Sequence, residues 1–335
     1  MKIVVDAFGG DIAPLEIIKG AALAAAEYGV DILLSGDKNE IEKCISQNNI
    51  VFPNGYETEQ ASDVISMHDD PTSILKAHKD SSMAVAFRAL SEGRADAFVS
   101  AGSTGAIVVG GTLIVKRIKG VRRPALGSMI PSPNGKRYML MDMGANSECR
   151  PEMLCQFGIM ASVYAESVAG VENPTIGLLN IGTEDTKGDE LRREAYALLK
   201  NAPINFVGNI ESREMPNGKC DVVITDGFTG NIALKLMEGT TLETLKLVKG
   251  VLLSSLLNKL AAAILKKDFN RMKSALNSSE IGGAPLLGVR KPVIKAHGNS
   301  DALAIKNAVY QAVAAVENDV CGVIGQKLAE MGEKE

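Results

Sequence analysis

The sequence predicts an α/β fold built on a mostly parallel sheet. Short β-branched or apolar runs alternate with longer helix-periodic segments, the pattern of repeated strand-helix-strand units. The 33 glycines cluster just after the apolar runs, where turns leave a sheet. Neither a fixed-period repeat nor a low-complexity linker breaks the alternation, so one continuous domain over residues 1–335 is expected.

The first strand is expected at Ile3–Ala7, which opens on three β-branched residues. It runs into Asp6-Ala7-Phe8-Gly9-Gly10-Asp11, a glycine turn between two carboxylates. Those acids suit a metal or acid-base pair, or a structural turn in which Asp11 caps the helix starting near Pro14. A helix at Leu15–Tyr28, a strand at Ile32–Ser35, a helix at Met83–Glu92 and a strand at Ala97–Ala101 follow. Next come a helix at Ala106–Lys119, strands at Leu126–Ile130 and Tyr138–Met143, and a helix at Glu152–Val168. The alternation resumes with strand Thr175–Ile181, helix Glu190–Lys200 and strands Asn205–Gly208 and Val222–Thr225. Helix Ile232–Lys249, strand Val293–Ala296 and helix Ala302–Glu317 complete the pattern.

A hydrophobic content of 46% over 335 residues fills a sizeable core. The 36 Lys and Arg against 40 Asp and Glu leave a net charge of −4, which argues against general nucleic-acid binding and makes any basic partner surface local. Cys44, Cys149, Cys155, Cys220 and Cys321 are scattered without a CxxC pair, so neither a disulfide framework nor a zinc site is indicated, and a reducing cytoplasm fits. The N-terminus lacks the basic region and long apolar stretch of a signal peptide. Apolar runs elsewhere are broken well before the roughly 20 residues a membrane-spanning helix needs.

In open parallel sheets ligands sit beyond the carboxyl ends of strands, and five polar loops fall there. Gly102-Ser103-Thr104-Gly105 offers backbone N–H groups and two hydroxyls to an anion. It is neither a Walker loop nor a GxGxxG fingerprint. Asp142-Met143-Gly144-Ala145-Asn146, the stretch Asn180–Gly188 and Asp226-Gly227-Phe228-Thr229-Gly230-Asn231 add short hydrogen-bonding side chains. Lys187 and Lys235 add positive charge. The fifth loop, Lys295–Asp301, holds His297 and has Ser300 or Asn299 as the expected helix cap. A single shared cleft is expected, although each loop alone also reads as a capped turn. GxSxG is absent, which argues against an acyl-serine mechanism.

Residues Leu242–Met272, extended by Lys273, combine leucines at helical spacing with seven basic residues. This amphipathic segment, at about 242–273, suits a dimer contact, an anionic membrane surface or the lip of an acyl channel. A second basic run, Lys116, Arg117, Lys119, Arg122 and Arg123, lies at a helix end. It reads as a solvated face or as a dock for an acidic carrier protein.

These motifs, in this order, resemble the acyl-ACP:phosphate acyltransferases of bacterial phospholipid synthesis, the PlsX family. The resemblance is carried by VDAFGGD (Val5–Asp11), SAGSTGA (Ser100–Ala106), DMGAN (Asp142–Asn146) and NIGTED (Asn180–Asp185). TDGFTGNIALK (Thr225–Lys235), GGAPLLG (Gly282–Gly288) and KAHGNSDA (Lys295–Ala302) carry the rest. The later motifs are also similar to phosphotransacetylases, which place an arginine where this loop has none. The resemblance implies a three-layer α/β/α fold of the phosphotransacetylase and isocitrate dehydrogenase kind, a homodimer, and no metal, nucleotide or other cofactor. It implies transfer of a long-chain fatty acyl group from acyl carrier protein to inorganic phosphate, with a downstream glycerol-phosphate acyltransferase as a further partner. His297 and Asp226 are the expected catalytic residues. Ser103, Thr104, Gly105, Asn146, Thr183, Lys187, Thr229, Asn231, Lys295 and Ser300 are the expected substrate contacts. The alternatives are a short-chain phosphotransacetylase using acyl-CoA and a noncatalytic membrane-associated scaffold.

Overall fold

The structure, a computed structural model, describes residues 1–269 and 282–332. Its strands are β1 (Lys2–Asp6), β2 (Asp31–Gly36), β3 (Glu57–Gln60), β4 (Ala97–Ser100), β5 (Ala125–Pro131) and β6 (Arg137–Met141). The second half adds β7 (Thr175–Asn180), β8 (Asn205–Glu211), β9 (Val222–Ile224), β10 (Gly283–Leu287) and β11 (Val293–Ala296). The main helices are α1 (Leu15–Tyr28), α2 (Lys38–Gln47), α3 (Ser82–Ser91), α4 (Thr104–Gly110) and α5 (Pro151–Ser167). They continue with α6 (Glu190–Asn201), α7 (Gly227–Leu253), α8 (Leu256–Ile264), α9 (Ala302–Glu317) and α10 (Val320–Gly332).

One eleven-stranded sheet runs through these elements in the order β3-β2-β1-β4-β11-β10-β5-β6-β9-β7-β8. Its alternate residues feed opposite layers, as the strand period of two requires. Val4, Leu33 and Phe98 face the core under α3, α4 and α7. Ile3, Val5, Ile32, Leu34 and Val99 face α1 and α9, and Met139, Met141, Ile176, Leu178 and Ile224 face α5, α6 and α10. Helices therefore cover both faces, giving the three-layer α/β/α arrangement. Such two-sided burial is why the inner strands read as nearly continuous apolar runs.

The sheet is parallel except at its middle, where β10 pairs antiparallel with β11 and β5, and β5 pairs antiparallel with β6. Three successive reversals set β6, β9 and β7 running against β1, β4 and β11. The loops leaving the two sets of strands therefore start from opposed directions. A twist of roughly 20–25° per strand over the five steps from β4 to β9 leaves those directions roughly 70° apart instead of 180°.

Two expected helices take a different form. The Ala106–Lys119 segment is a short α4 followed by a π turn over Gly111–Lys116, which ends at Lys116 with φ of 74°. The amphipathic stretch expected as one unit at 242–273 divides: α7 ends at Leu253 and the chain bends by 117° into α8. Ser255 enforces the break by accepting a hydrogen bond from the Asn258 N–H at 3.1 Å, an N-cap that starts a new helix. Arg271, Met272 and Lys273 lie outside the described residues. Only Gly227 and Gly230 of α7 are buried, Ala233, Leu234 and Met237 pack against the core half-buried, and α8 buries nothing, so beyond Met237 the pair forms an exposed arm. Leu247, Leu256, Leu257, Leu260 and Ile264 are 65–82% exposed on it. Among the described residues no single helix is long and apolar enough to cross a membrane.

Candidate active site

Three neighbouring strands, β1, β4 and β11, deliver the first group of loops. Buried Asp6 accepts a hydrogen bond from the Ser100 hydroxyl at 2.7 Å and from the Phe8 N–H at 3.3 Å. Burial pushes its carboxyl up while these donors pull it down. The adjoining turn is closed tightly, because a Cβ on Gly9 would stand 2.5 Å from an Asp6 oxygen. Gly10 has φ of 110°, the left-handed region that glycine enters without cost. Asp11 then locks onto the last loop, its N–H donating to the Gly298 carbonyl at 2.7 Å. Asp6 and Asp11 thus serve different loops.

Ser103, Thr104 and Gly105 sit at the start of α4. Ser103 is 6% exposed, and its hydroxyl makes no cap hydrogen bond to the helix. Pro71 covers Gly105, where a Cβ would come within 2.5 Å of the proline ring. On the neighbouring β11 loop, His297 is exposed and its carbonyl accepts the Ser300 N–H at 3.0 Å. The helix cap is neither Ser300 nor Asn299: Asp301 accepts from the Ala304 N–H at 2.9 Å. Asp301 therefore relieves Ser300 of that duty. Ser300 is 4% exposed, and its hydroxyl has no hydrogen-bond partner among the described residues. Lys295 donates to the Ala296 carbonyl at 3.0 Å. Loss of hydration pushes its ammonium down to about 8, against the pull of Asp11 and of Glu238 on α7.

The second group leaves β6, β7 and β9. Asp142 is fully buried and gathers N–H donors from Leu126, Gly144, Ala145 and Asn146 at 2.8–3.1 Å, together with the Asn146 amide at 2.8 Å. Burial raises its carboxyl, and these five donors oppose the rise. Asn146 also donates to the Pro124 carbonyl at 2.8 Å. Its amide is thus occupied by the loop itself. Asn231 packs against Gly144, while Thr183 and Lys187 stand exposed in the loop after β7.

Asp226 caps α7, accepting the Thr229 N–H at 2.9 Å and the Thr229 hydroxyl at 2.8 Å. It also pairs with Arg192, whose guanidinium reaches the Thr229 oxygen at 3.1 Å and Asp189 at 2.7 Å. Arg192 is held in place because Asp189 caps α6 through the Arg192 N–H at 2.9 Å. Sequence reasoning missed this arginine. The signal available was a cation in the first turn of a helix, where the dipole disfavours it. Arg192, Asp226 and Thr229 line an open cleft of about 430 Å³ with Ser147, Glu148, Cys149, Leu191 and Phe228. Burial and the nearby Asp142 push the Cys149 thiol up to about 12.

The five loops therefore leave the sheet in two groups. Ser103, Thr104, Gly105, Lys295, His297 and Ser300 lie in the first; Asn146, Thr183, Lys187, Asp226, Thr229 and Asn231 lie in the second or beside it. Three strand reversals set the opposed strand directions of the two groups, which periodicity cannot reveal. Among the described residues no hydrogen bond or ion pair joins the groups. Lys295 answers electrostatically to Glu238, eleven residues along α7 from Gly227, or about 17 Å at the helical rise.

Residues 1–323 match the family model described as "Fatty acid synthesis protein". A phosphate acyltransferase of Oceanobacillus iheyensis is 46% identical over 100% of this chain and 99% of its own length. One of Bacillus licheniformis is 44% identical over the whole of both chains. Among solved structures, a phosphotransacetylase from Streptococcus pyogenes superposes with a TM-score of 0.64 at 16% identity, covering 95% of this chain and 94% of that one. That likeness concerns the fold.

Proposed function

The chain belongs to the fatty acid synthesis protein family whose relatives are phosphate acyltransferases, and we propose that this acyltransferase moves a long-chain fatty acyl group from acyl carrier protein to inorganic phosphate. The products are an acyl phosphate and the free carrier thiol. The observation that carries the site reading is the Ser300 hydroxyl, buried without a partner among the described residues, one loop away from Ser103, whose hydroxyl makes no cap hydrogen bond. A buried donor left unsatisfied costs about 1–3 kcal/mol, and a phosphate oxygen would remove that cost.

A phosphate oxygen attacks the thioester carbonyl, the C–O bond forms, and the C–S bond breaks as the thiol departs. Phosphate is already anionic, so positioning and stabilisation of the carbonyl oxygen supply the acceleration. Ser103, Thr104, the Gly105 backbone, Ser300 and Lys295 hold the phosphate in this reading. His297 stabilises the carbonyl oxygen or the leaving sulfur. Asn146, Thr183, Lys187, Thr229 and Asn231 serve the thioester side. Asp226 orients Arg192 and Thr229, a positioning role drawn from its cap and ion pair.

The setting we propose is a cytoplasmic homodimer with peripheral membrane contact. The apolar face of α7 serves the second copy, and α8, with Lys259 and with Lys266 and Lys267 beyond it, meets anionic lipid. Product handover to a glycerol-phosphate acyltransferase follows from the reactivity of an acyl phosphate.

The test mixes the protein with long-chain acyl carrier protein, with and without phosphate, follows free thiol and traps acyl phosphate as a hydroxamate. Phosphate-dependent product is expected, with acetyl-CoA a poor donor. The absence of both signals overturns the reading. His297→Ala should lower turnover at least about tenfold, and unchanged turnover would remove His297 from the mechanism.

A further inference from the structure

The turn between α4 and β5 is tied to the chain just before β11. The Arg290 N–H donates to the Lys116 carbonyl at 3.0 Å, and the Arg290 Nε donates to the Arg117 carbonyl at 3.1 Å. The Ile118 N–H reaches the Gly288 carbonyl at 3.0 Å, and Arg117 donates to the Val121 carbonyl at 3.3 Å and to the Arg122 carbonyl. These bonds gather Arg117, Lys119, Arg122, Arg123, Arg290 and Lys291 onto one surface from two segments distant in sequence. All but the half-buried Lys291 are exposed. Among the described residues no carboxylate lies within ion-pair distance of any of them, whereas Arg94, Arg192, Arg213 and Lys306 each have one. Concentrated like charge opposes folding and persists best where an opposite charge arrives from outside.

The surface adjoins the second group of loops. Gln156 of α5 accepts the Arg122 N–H at 2.9 Å and donates to the Gly120 carbonyl at 2.9 Å. Pro124, next to Arg123, accepts from Asn146, next to Ser147 at the mouth of the cleft. We propose that this basic surface docks the acidic carrier protein that brings the acyl thioester, so that the thioester enters beside Arg192 and Thr229; the assignment rests on the carrier-thioester reading above. Charge complementarity selects this occupant. An anionic membrane calls for apolar side chains among the cations, yet Ile118 and Val121 are 9% and 5% exposed. A nucleic acid calls for stacking aromatics, and neither segment contains one.

The experiment compares KM for a long-chain acyl carrier protein with KM for the same acyl group on pantetheine, using the unaltered protein and the K119E/R122E/R123E variant. None of these three side chains makes a hydrogen bond or ion pair among the described residues. The variant should raise the carrier KM at least about tenfold with kcat held, and leave the pantetheine thioester within about twofold. In the unaltered protein the carrier KM should climb with salt, while the pantetheine KM should not. A carrier KM that ignores both salt and the charge reversal overturns the proposal. So does a parallel loss with both donors, or competition by anionic vesicles or single-stranded DNA equal to that by the free carrier. If the triple variant fails to fold, R123E alone and the salt series decide between the same outcomes. The acyltransfer reading fails separately, and the docking proposal with it, if the unaltered protein consumes neither thioester in the presence of phosphate.

Discussion

Gly230 and Lys295 illustrate how single residues act by what they lack. In the first turn of α7, Gly230 leaves the room that the Asp142 carbonyl occupies, and an added Cβ would overlap that oxygen and come within 2.9 Å of the Thr225 methyl. Helix propensity favours alanine over glycine by about 1 kcal/mol. Backbone overlap in a packed turn costs about 1–3 kcal/mol or more and wins. Gly230→Ala should therefore lower the urea midpoint, against the propensity argument. Lys295 lacks full hydration. It releases its proton near pH 8 in the folded chain and near 10.5 when unfolded. Between those values the unfolded chain holds more protons, so this group's contribution to stability rises with pH. If the ammonium neutralises phosphate, turnover should fall through one ionisation near pH 8 while stability does not fall with it. Lys295→Met should abolish that inflection in the rate profile. Residue-level sequence reading singled out the Lys295–Asp301 loop but assigned the helix cap one or two positions early, because Asn299, Ser300 and Asp301 all carry cap-type side chains.

Every strand expected from apolar runs is present at the element scale, and the two that were missed lack the signal for physical reasons. β3, Glu57-Thr-Glu-Gln, is an edge strand with no apolar residue. β10 carries Pro285 inside the sheet, opposite Ile294, where a missing N–H argues against strand. α2 escaped notice because Ile41 is its one buried residue, too little for a periodic stripe. The arm is the converse case: its apolar residues announced a helix, but the Ser254-Ser255 break was hidden within them. Because Leu256, Leu257 and Leu260 are 65–81% exposed, replacing all three by Glu should shift stability by about 0.5 kcal/mol or less per site. Binding to anionic vesicles, read by flotation, should be lost while the pantetheine-thioester rate survives. Unchanged flotation would assign α8 elsewhere.

For the molecule as a whole, the α/β class and the order of loops were legible, and the division of those loops into two groups was not. That division arises from strand reversals at β10 and β5, and strand direction leaves no trace in periodicity. One core nevertheless spans the reversal: Val4, Phe98, Leu140 and Val223 belong to the same buried cluster. Shared burial predicts that both halves unfold together. Single-cysteine variants retaining Cys44 or Cys220 should show thiol labelling at the same denaturant midpoint; two separated midpoints would reveal independent units. All five cysteines are free, and those at 149, 220 and 321 are pushed up to about 12. For Cys149, on the wall of the cleft, the consequence is chemical silence. A thiolate there would capture the incoming acyl group by thioester exchange and strand it on the protein. Kept protonated, Cys149 would be no rival to phosphate in the proposed reaction, and the acyl group would pass from sulfur to oxygen without an enzyme-bound detour.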